Sequence, residues 1–293
     1  MCRFKSALVL KDRVFVPDYD SHDRMLEELK IPDDFAHASK VFVRVELSPA
    51  DGDVASDPMG WKIKIDQDIL PDWFVHAVDE QRVKVAITEW CKVHVLREGY
   101  HEVHDGVWYA YDSAAVKACG SATVTAYDSA TVWACGSATV TAYDSATVWA
   151  YDSATVTACD SATVKACNSA TVTACDSATV TAYGSATVTA CDSSTVTAHD
   201  SATVTACGSS TVTAHDSATV WAHDSATVTA HDSATVTAYD SATVWAHDSA
   251  TVILPPRRQT NKEVTLNGEA VCINYKTHTI KSKYKWHQED CSE

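Results

Sequence analysis

The sequence predicts a mainly β fold: a two-sided β-solenoid of sixteen-residue coils, preceded by an α+β domain and closed by a small β cap. Three observations predict it. Eighteen octads run without a gap from Tyr111 to Leu254 on one consensus, with Tyr, Cys or His first, Asp, Gly or Asn second, then Ser-Ala-Thr-Val, a Thr, Trp or Lys, and Ala. Within each octad the apolar fourth, sixth and eighth places alternate with the polar fifth and seventh, the period-two signature of a half-buried strand. The substitutions also segregate by parity, so residues sixteen apart share an environment.

Residues 1–110 read as the α+β domain. "KSALVLKDRVFVP", "KVFVRVELSP" and "GWKIKIDQDIL" read as strands, and "DSHDRMLEELK" as a helix with Asp20 or Ser21 as its N-cap before Met25, Leu26 and Leu29. From Asp79 to about Leu96, the residues Val83, Ile87, Trp90 and His94 keep near-helical spacing.

In the octad tract, residues 111–254, the second and third places mark a turn, where Asp, Gly and Asn tolerate left-handed backbone. Lys117 and Lys165 at the seventh place put that side in water and the Ala-Val-Ala side inward. In alternate octads the seventh place reads Lys117, Trp133, Trp149 and Lys165, then four threonines and Trp245. In the intervening octads it is Thr from Thr125 to Thr205, then Trp221, Thr237 and Ile253. The first place forms runs in the same way: Tyr111, Tyr127 and Tyr143, then Cys159, Cys175, Cys191 and Cys207 on one edge, and His199, His215, His231 and His247 on the other. Stacked coils of two strands and two turns produce this pattern, because each rung meets the same place on its neighbour. Nine such coils at the ~4.8 Å strand spacing predict a rod of about 40 Å. A disordered low-complexity tract is the alternative, but disorder favours Pro, Glu, Lys and Gln, whereas this tract is rich in β-branched residues and has no Pro before Pro255.

Residues 255–293 read as the C-terminal cap. Asn267-Gly268 between alternating runs is a strong hairpin signal, and "KTHTIKSKYKW" adds a third strand. Caps are expected because bare solenoid ends expose sheet edges and invite self-association end to end.

Charge narrows the partners. Residues 1–110 carry 14 basic and 21 acidic side chains, residues 111–254 carry 2 and 13, and residues 255–293 carry 7 and 5. An acidic rod argues against direct binding to phosphate backbones, which needs Lys and Arg to displace counterions. Seven of the eleven cysteines occupy the interchangeable first place, so none of those seven is an obligate disulfide partner. The apolar run "ALVL" near the start is too short for a secretory signal, and no stretch approaches the ~20 apolar residues of a membrane span. A cytoplasmic protein that does not enter a membrane is the expectation.

The segments "MCRFKS", "LKDRVF", "FVRVEL", "DGDV" and especially "DQDILPDW" resemble an uncharacterised family of bacterial and phage proteins, some of which carry octad repeats. The resemblance covers about the first third of the chain and implies no activity. The repeat more distantly resembles the two-octad coils of bacterial ice-nucleation proteins, which pair a Thr-x-Thr ladder with Tyr, Gly and Ser. It departs from them in placing Val between the threonines, Asp or Gly directly after the Tyr place, and Trp and Lys on the other face.

Six consecutive Thr-x-Thr rungs are predicted to form a flat, regular and uncharged face: Thr123/Thr125, Thr139/Thr141, Thr155/Thr157, Thr171/Thr173, Thr187/Thr189 and Thr203/Thr205. Their spacing of about 6.7 Å along a strand and ~4.8 Å between rungs suits ordered water or ice; Thr is also simply a polar residue that fits a solvated strand. Trp133 and Trp149 form a candidate aromatic platform for a partner. The Asp row from Asp112 to Asp192 suits either Ca²⁺ or turn formation, or imitates a row of phosphates. The Cys and His rows carry zinc-ligand chemistry but do not converge tetrahedrally. Cys91, His94, His101 and His104 have spacing possible for zinc, and "HEVH" lacks the interval that places two His on one helix face. Asp66, Asp68 and Asp72 near Trp73 are a candidate acid and base pair without a second motif to hold a substrate. No motif implies a cofactor. The reading is a non-enzymatic scaffold that displays side-chain ladders to a macromolecular or polymeric partner, with ice binding, nucleic-acid mimicry and an N-terminal enzyme as alternatives.

Overall fold

The computed structural model describes residues 5–256, 263–277, 279–282 and 286–287, with Trp286 and His287 as backbone alone. Residues 1–4 of "MCRFKS" and part of "KTHTIKSKYKW" lie outside the described residues. The chain divides into two compact units, Met1–Arg97 with Gly106–Tyr111, and Glu98–Asp105 with Asp112–Glu293.

In the first unit, β1 (Lys5–Leu10), β2 (Val14–Phe15), β3 (Phe42–Ser48) and β4 (Lys62–Ile65) form an antiparallel sheet in the order β2-β1-β3-β4. The continuous apolar run of β1 marks a strand covered on both faces, and all six of its residues are buried. Leu8 and Leu10 pack with Phe42 against Met25 and Leu26 of α1 (His22–Leu29). That helix starts at Ser21, whose hydroxyl accepts the Arg24 amide, and ends at Lys30 in left-handed backbone. On the other face, Ala7 and Val9 pack with Val43, Val45 and Leu47 against Val83, Ile87 and Trp90 of α2 (His76–His94). Helix α2 begins three residues before the predicted Asp79, whose carboxylate turns back to accept the amide of the N-cap residue Val75 at 2.7 Å, as the reach-back side chain of a capping box does.

The second unit holds the solenoid. Every octad strand has four residues, such as Thr171–Ala174, with its Val and Ala buried and its Thr and seventh-place residues outward. Each strand pairs in parallel with the strand sixteen residues on, with Thr over Thr and Val over Val. Odd and even octads thus build two separate sheets, one of which runs to eleven strands among the described residues. The interior is almost wholly alanine and valine at zero exposure.

The coils continue beyond the octad tract at both ends. Tyr100–Val103 pairs in parallel with Ala115–Ala118, although "YHEV" carries none of the consensus. After the tract, Glu263–Leu266 stacks on Thr243–Ala246, and Val271–Asn274 stacks on Thr251–Leu254. This corrects the predicted hairpin at Asn267-Gly268. The two flanking strands belong to different sheets, and Gly268, at φ 63, occupies the coil turn above Asp248. Left-handed backbone serves a tight hairpin and a solenoid corner alike, so the dipeptide alone does not separate them. The antiparallel reversal comes one strand later, where Val271–Asn274 pairs with Thr279–Ser282.

Two octads place Ser where the others have the inward Ala. Ser194 and Ser210 are fully buried, stand one rung apart, and neither hydroxyl has a hydrogen-bond partner. An unmade buried hydrogen bond costs roughly 1–3 kcal/mol. The double substitution Ser194→Ala/Ser210→Ala is therefore expected to raise the urea midpoint of the full chain, by an amount equivalent to about 1 kcal/mol or more per site; an unchanged or lower midpoint would show that the hydroxyls are satisfied.

Candidate functional site

The ladders arise at the corners. From Cys135 onward the amide of the first-place residue donates to an alanine carbonyl of the rung below, as Tyr143 does to Ala126 at 2.9 Å. The serine amide of the turn donates to the second-place carbonyl below, as Ser145 does to Asp128 at 3.0 Å. The second-place Asp and Asn residues of the octads lie at φ between 45° and 59°, a region that Asp and Asn visit more readily than other non-glycine residues. One amide per corner remains, and wherever the next rung carries an Asp at this place its carboxylate commonly takes it: the Asp128 amide donates to Asp144 Oδ2 at 3.3 Å, and the Asp216 amide to Asp232 Oδ2 at 3.2 Å. Gly184 and Gly208 donate in the same way to Asp200 and Asp224. At Gly120 only glycine fits, since a Cβ there would lie 2.6 Å from the His104 carbonyl oxygen.

The Asp row is thereby explained as a set of corner acceptors. Among the described residues no three His, Cys, Asp or Glu side chains gather into a group that could hold a metal ion. The predicted quartet behaves accordingly. Burial pushes the Cys91 thiol up to about 11. His94 is buried, stacks on Trp90 at 4.4 Å, and directs Nε2 to Asp18 at 2.8 Å and Nδ1 to the Trp90 carbonyl at 2.9 Å. His101 Nε2 lies 2.9 Å from the Glu98 carbonyl oxygen, and His104 stands 4.0 Å from Glu102. Cys91 and His94 fall in the first compact unit, His101 and His104 in the second.

The predicted acid and base pair does not converge either. Asp66, Asp68 and Asp72 are all exposed, with Asp66 facing His22 and Lys64. Within "DQDILPDW" the working residues are Gln67 and Trp73. The Gln67 amide donates to the carbonyls of Phe42 and Ile69 and accepts the Arg44 amide, while Trp73 Nε1 donates to the Lys40 carbonyl at 2.6 Å. That segment is a clasp on the start of β3. A pocket of ≈ 210 Å³ in the same unit is lined by Val54, Ser56, Pro58, Thr88, Cys91 and Arg97, and Arg97 is held there by the Ala55 carbonyl at 2.7 Å. Lys5, nearby in the core, has its pKa lowered by burial, opposed by Asp20 at 3.0 Å.

The outer ladders stand as the register demands. The six Thr-x-Thr rungs lie in one sheet, Thr over Thr throughout: Thr123, Thr139, Thr155, Thr171, Thr187 and Thr203 form one column, and Thr125, Thr141, Thr157, Thr173, Thr189 and Thr205 the other. The two columns are not equally open. In the fifth-place column Thr139, Thr155, Thr171 and Thr187 are exposed, with only the end residues Thr123 and Thr203 half-buried. In the seventh-place column Thr125, Thr141, Thr157, Thr173, Thr189 and Thr205 are all half-buried. The reason lies in the period of two along an extended chain. A seventh-place Thr has a larger outward neighbour two residues on, the Tyr or Cys that opens the next octad, whereas a fifth-place Thr has only the small turn serine two residues before it.

A second block, on the opposite sheet, lies outside the predicted rungs: Thr179/Thr181, Thr195/Thr197, Thr211/Thr213 and Thr227/Thr229 also stack in register. Its signal is present in the run of threonines at the seventh place, masked by the Trp and Lys residues that precede it. Trp133 pairs with Trp149 on adjacent rungs, the first half-buried and the second exposed. Tyr100 approaches Trp133 at 6.4 Å, and Lys165 lies over the Trp149 ring at 5.2 Å. At the corners, Tyr183, His199, His215, His231 and His247 stack ring on ring at 4.9–5.0 Å. The Nδ1 atoms of His199, His215 and His231 lie 3.7–3.8 Å from Asp216, Asp232 and Asp248.

Among the described residues no helix is long and apolar enough to cross a membrane. No family model matches the chain, and neither a curated protein nor a solved structure matches it.

If the Asp row serves its own corners, Asp176→Ala should destabilise the full chain by about 1–2 kcal/mol, through the lost amide acceptor and the left-handed backbone. Asp176→Gly should cost less, and Ca²⁺ or a chelator should leave the urea midpoint of the unsubstituted protein unmoved. A midpoint that rises with Ca²⁺ would instead assign the row to the ion.

Proposed function

We propose that the protein is a non-enzymatic scaffold whose solenoid presents ladders of Thr, Tyr, His and Trp to a macromolecular or polymeric partner. The observation that carries this reading is the division of labour within each coil. Inward positions barely vary over the tract, while the first and seventh places change chemistry in blocks of several rungs without disturbing the pairing. Such a surface offers one repeated contact many times, so affinity accumulates by multivalency rather than from one deep pocket. In-phase removal of residues 119–246 deletes eight coils of sixteen and rejoins equivalent corners. A pull-down from host lysate with the full chain and with this shortened chain is expected to lose the partner in the latter; equal recovery would move the binding element off the rod.

The six in-register Thr-x-Thr rungs favour ordered-water or ice binding as a second reading. Hydroxyl pairs about 6.7 Å apart along the strand and ~4.8 Å apart between rungs form a regular two-dimensional array that carries no charge. Its exposed fifth-place column would make the first contact, and the half-buried column of Thr141, Thr157, Thr173 and Thr189 would complete the lattice behind it. Thermal hysteresis is the measurement. It should be present in the full chain and abolished when Thr157→Tyr, Thr173→Tyr and Thr189→Tyr are combined. No hysteresis in the unsubstituted protein at high concentration would remove this reading and leave the first intact.

A further inference from the structure

Cys159, Cys175, Cys191 and Cys207 follow four consecutive, in-register strands on one edge of the solenoid. Their backbone is fixed by the corner ladder: the amides of Cys175, Cys191 and Cys207 donate to Ala158, Ala174 and Ala190 at 2.9, 2.9 and 2.8 Å. All four thiols are free and half-buried. The Cys159 and Cys175 thiols are within hydrogen-bonding reach of each other, Cys175 senses both Cys159 and Cys191, and Cys207 senses Cys191. The row is bounded by Tyr143 on one side and by His223 on the other.

We propose that this row binds soft two-coordinate ions of the Cu(I) class, one between each pair of successive thiolates. Zinc is a poor fit because it requires about four ligands converging tetrahedrally, whereas a row of parallel side chains supplies only a neighbour on either side. A linear ion needs no more than that. Two bonds of about the 2.3 Å zinc–thiolate length laid end to end span about 4.6 Å, close to the ~4.8 Å that separates paired strands. Thiolate softness selects Cu(I) over the harder ions, and the neighbouring carboxylates of Asp176 and Asp192 are already committed to backbone amides.

Binding exchanges protons for metal with no change of oxidation state. For the first ion two S–H bonds break, two protons pass to solvent, and two S–Cu bonds form. Each further ion that shares a thiolate with its neighbour releases one proton more. Burial pushes Cys175 up to about 11 and raises Cys159 and Cys207 as well, and because the metal displaces thiol protons, uptake of Cu(I) strengthens as pH rises. Cys119 and Cys135 repeat the arrangement once on the other edge, whereas Cys167 lies between Tyr151 and Tyr183 and has no thiol on either adjacent rung.

The test uses the full chain under anaerobic conditions with a phosphine reductant and Cu(I) supplied as its complex with a chromogenic bidentate chelator. The variant Cys175→Ser/Cys191→Ser leaves its two remaining row thiols three rungs apart and removes a ligand from all three pairs, and is expected to take up about three fewer equivalents of Cu(I) than the unsubstituted protein. Cys167→Ser should take up as much as the unsubstituted protein. Cys175→Tyr/Cys191→Tyr, which installs a residue native to this place, should show the same loss should the serine variant fold poorly. Equal uptake by the unsubstituted protein and the folded double variant, or an equal loss in Cys167→Ser, would overturn the proposal.

Discussion

The solenoid rests on how little space two four-residue strands enclose. Only the fourth, sixth and eighth places of each octad point inward, and two such sets from facing sheets must fill the interior without a void. Alanine and valine do so at zero exposure along almost the whole stack. A larger residue would force the sheets apart on its own rung and break register with the rungs above and below, because close-packed interiors transmit strain rather than absorb it. The near-invariance of the inward positions follows from geometry, as does the confinement of Leu254 to the last octad.

A core this thin buries little apolar area per coil, so stability must come from neighbour-to-neighbour terms repeated many times. The strand ladders supply one set. The corners supply the other, and there the protein is unusually complete: the amides of the first, second and third places commonly find acceptors on an adjacent rung. The second place is where these demands meet, since it requires left-handed backbone and an acceptor for the amide of the next corner. Asp answers both. Glycine answers only the first, and at Gly120 the nearby His104 carbonyl leaves room for nothing else.

The repeat was legible in the sequence because its determinants are local and redundant. Alternation set the inward face, and the parity of Trp, Lys and His set the sixteen-residue period that the pairing of Val148 with Val164 displays. Where redundancy ended, so did legibility. "YHEV" forms a rung with no consensus residue, because its pairing is templated by the Ala115–Ala118 strand rather than encoded in its own composition. Asn267-Gly268 carried a true signal for left-handed backbone but no information about which strand would lie beside it. Alternation also told which threonines face outward but not how open each one is, and Thr141, Thr173 and Thr189 are sheltered where Thr139, Thr171 and Thr187 are not. In the first unit, Asp18 gathers His94 and Trp90 from more than seventy residues away, and no spacing rule reaches that far. The Gln67 and Trp73 clasp was hidden for the same reason, behind carboxylates that drew notice for their chemistry.

In a stack of identical coils each side chain's nearest neighbour is usually another copy of itself, and this governs what the ladders can contain. Like charges directly opposed on adjacent strands are destabilising, which leaves Tyr, Cys, His, Thr and Trp as the residues that tolerate their own company. The two outward lysines obey the same rule. Lys117 faces Glu102 across the rung at 2.7 Å, and Lys165 lies over the Trp149 ring, so neither meets another lysine. The aspartates are the one charged row that runs on rung after rung, and they do so where most carboxylates have a backbone amide of their own to offset repulsion from the next. The ladders a solenoid can display are thus chosen first by self-compatibility at ~4.8 Å, and any partner must recognise a surface already filtered by that requirement.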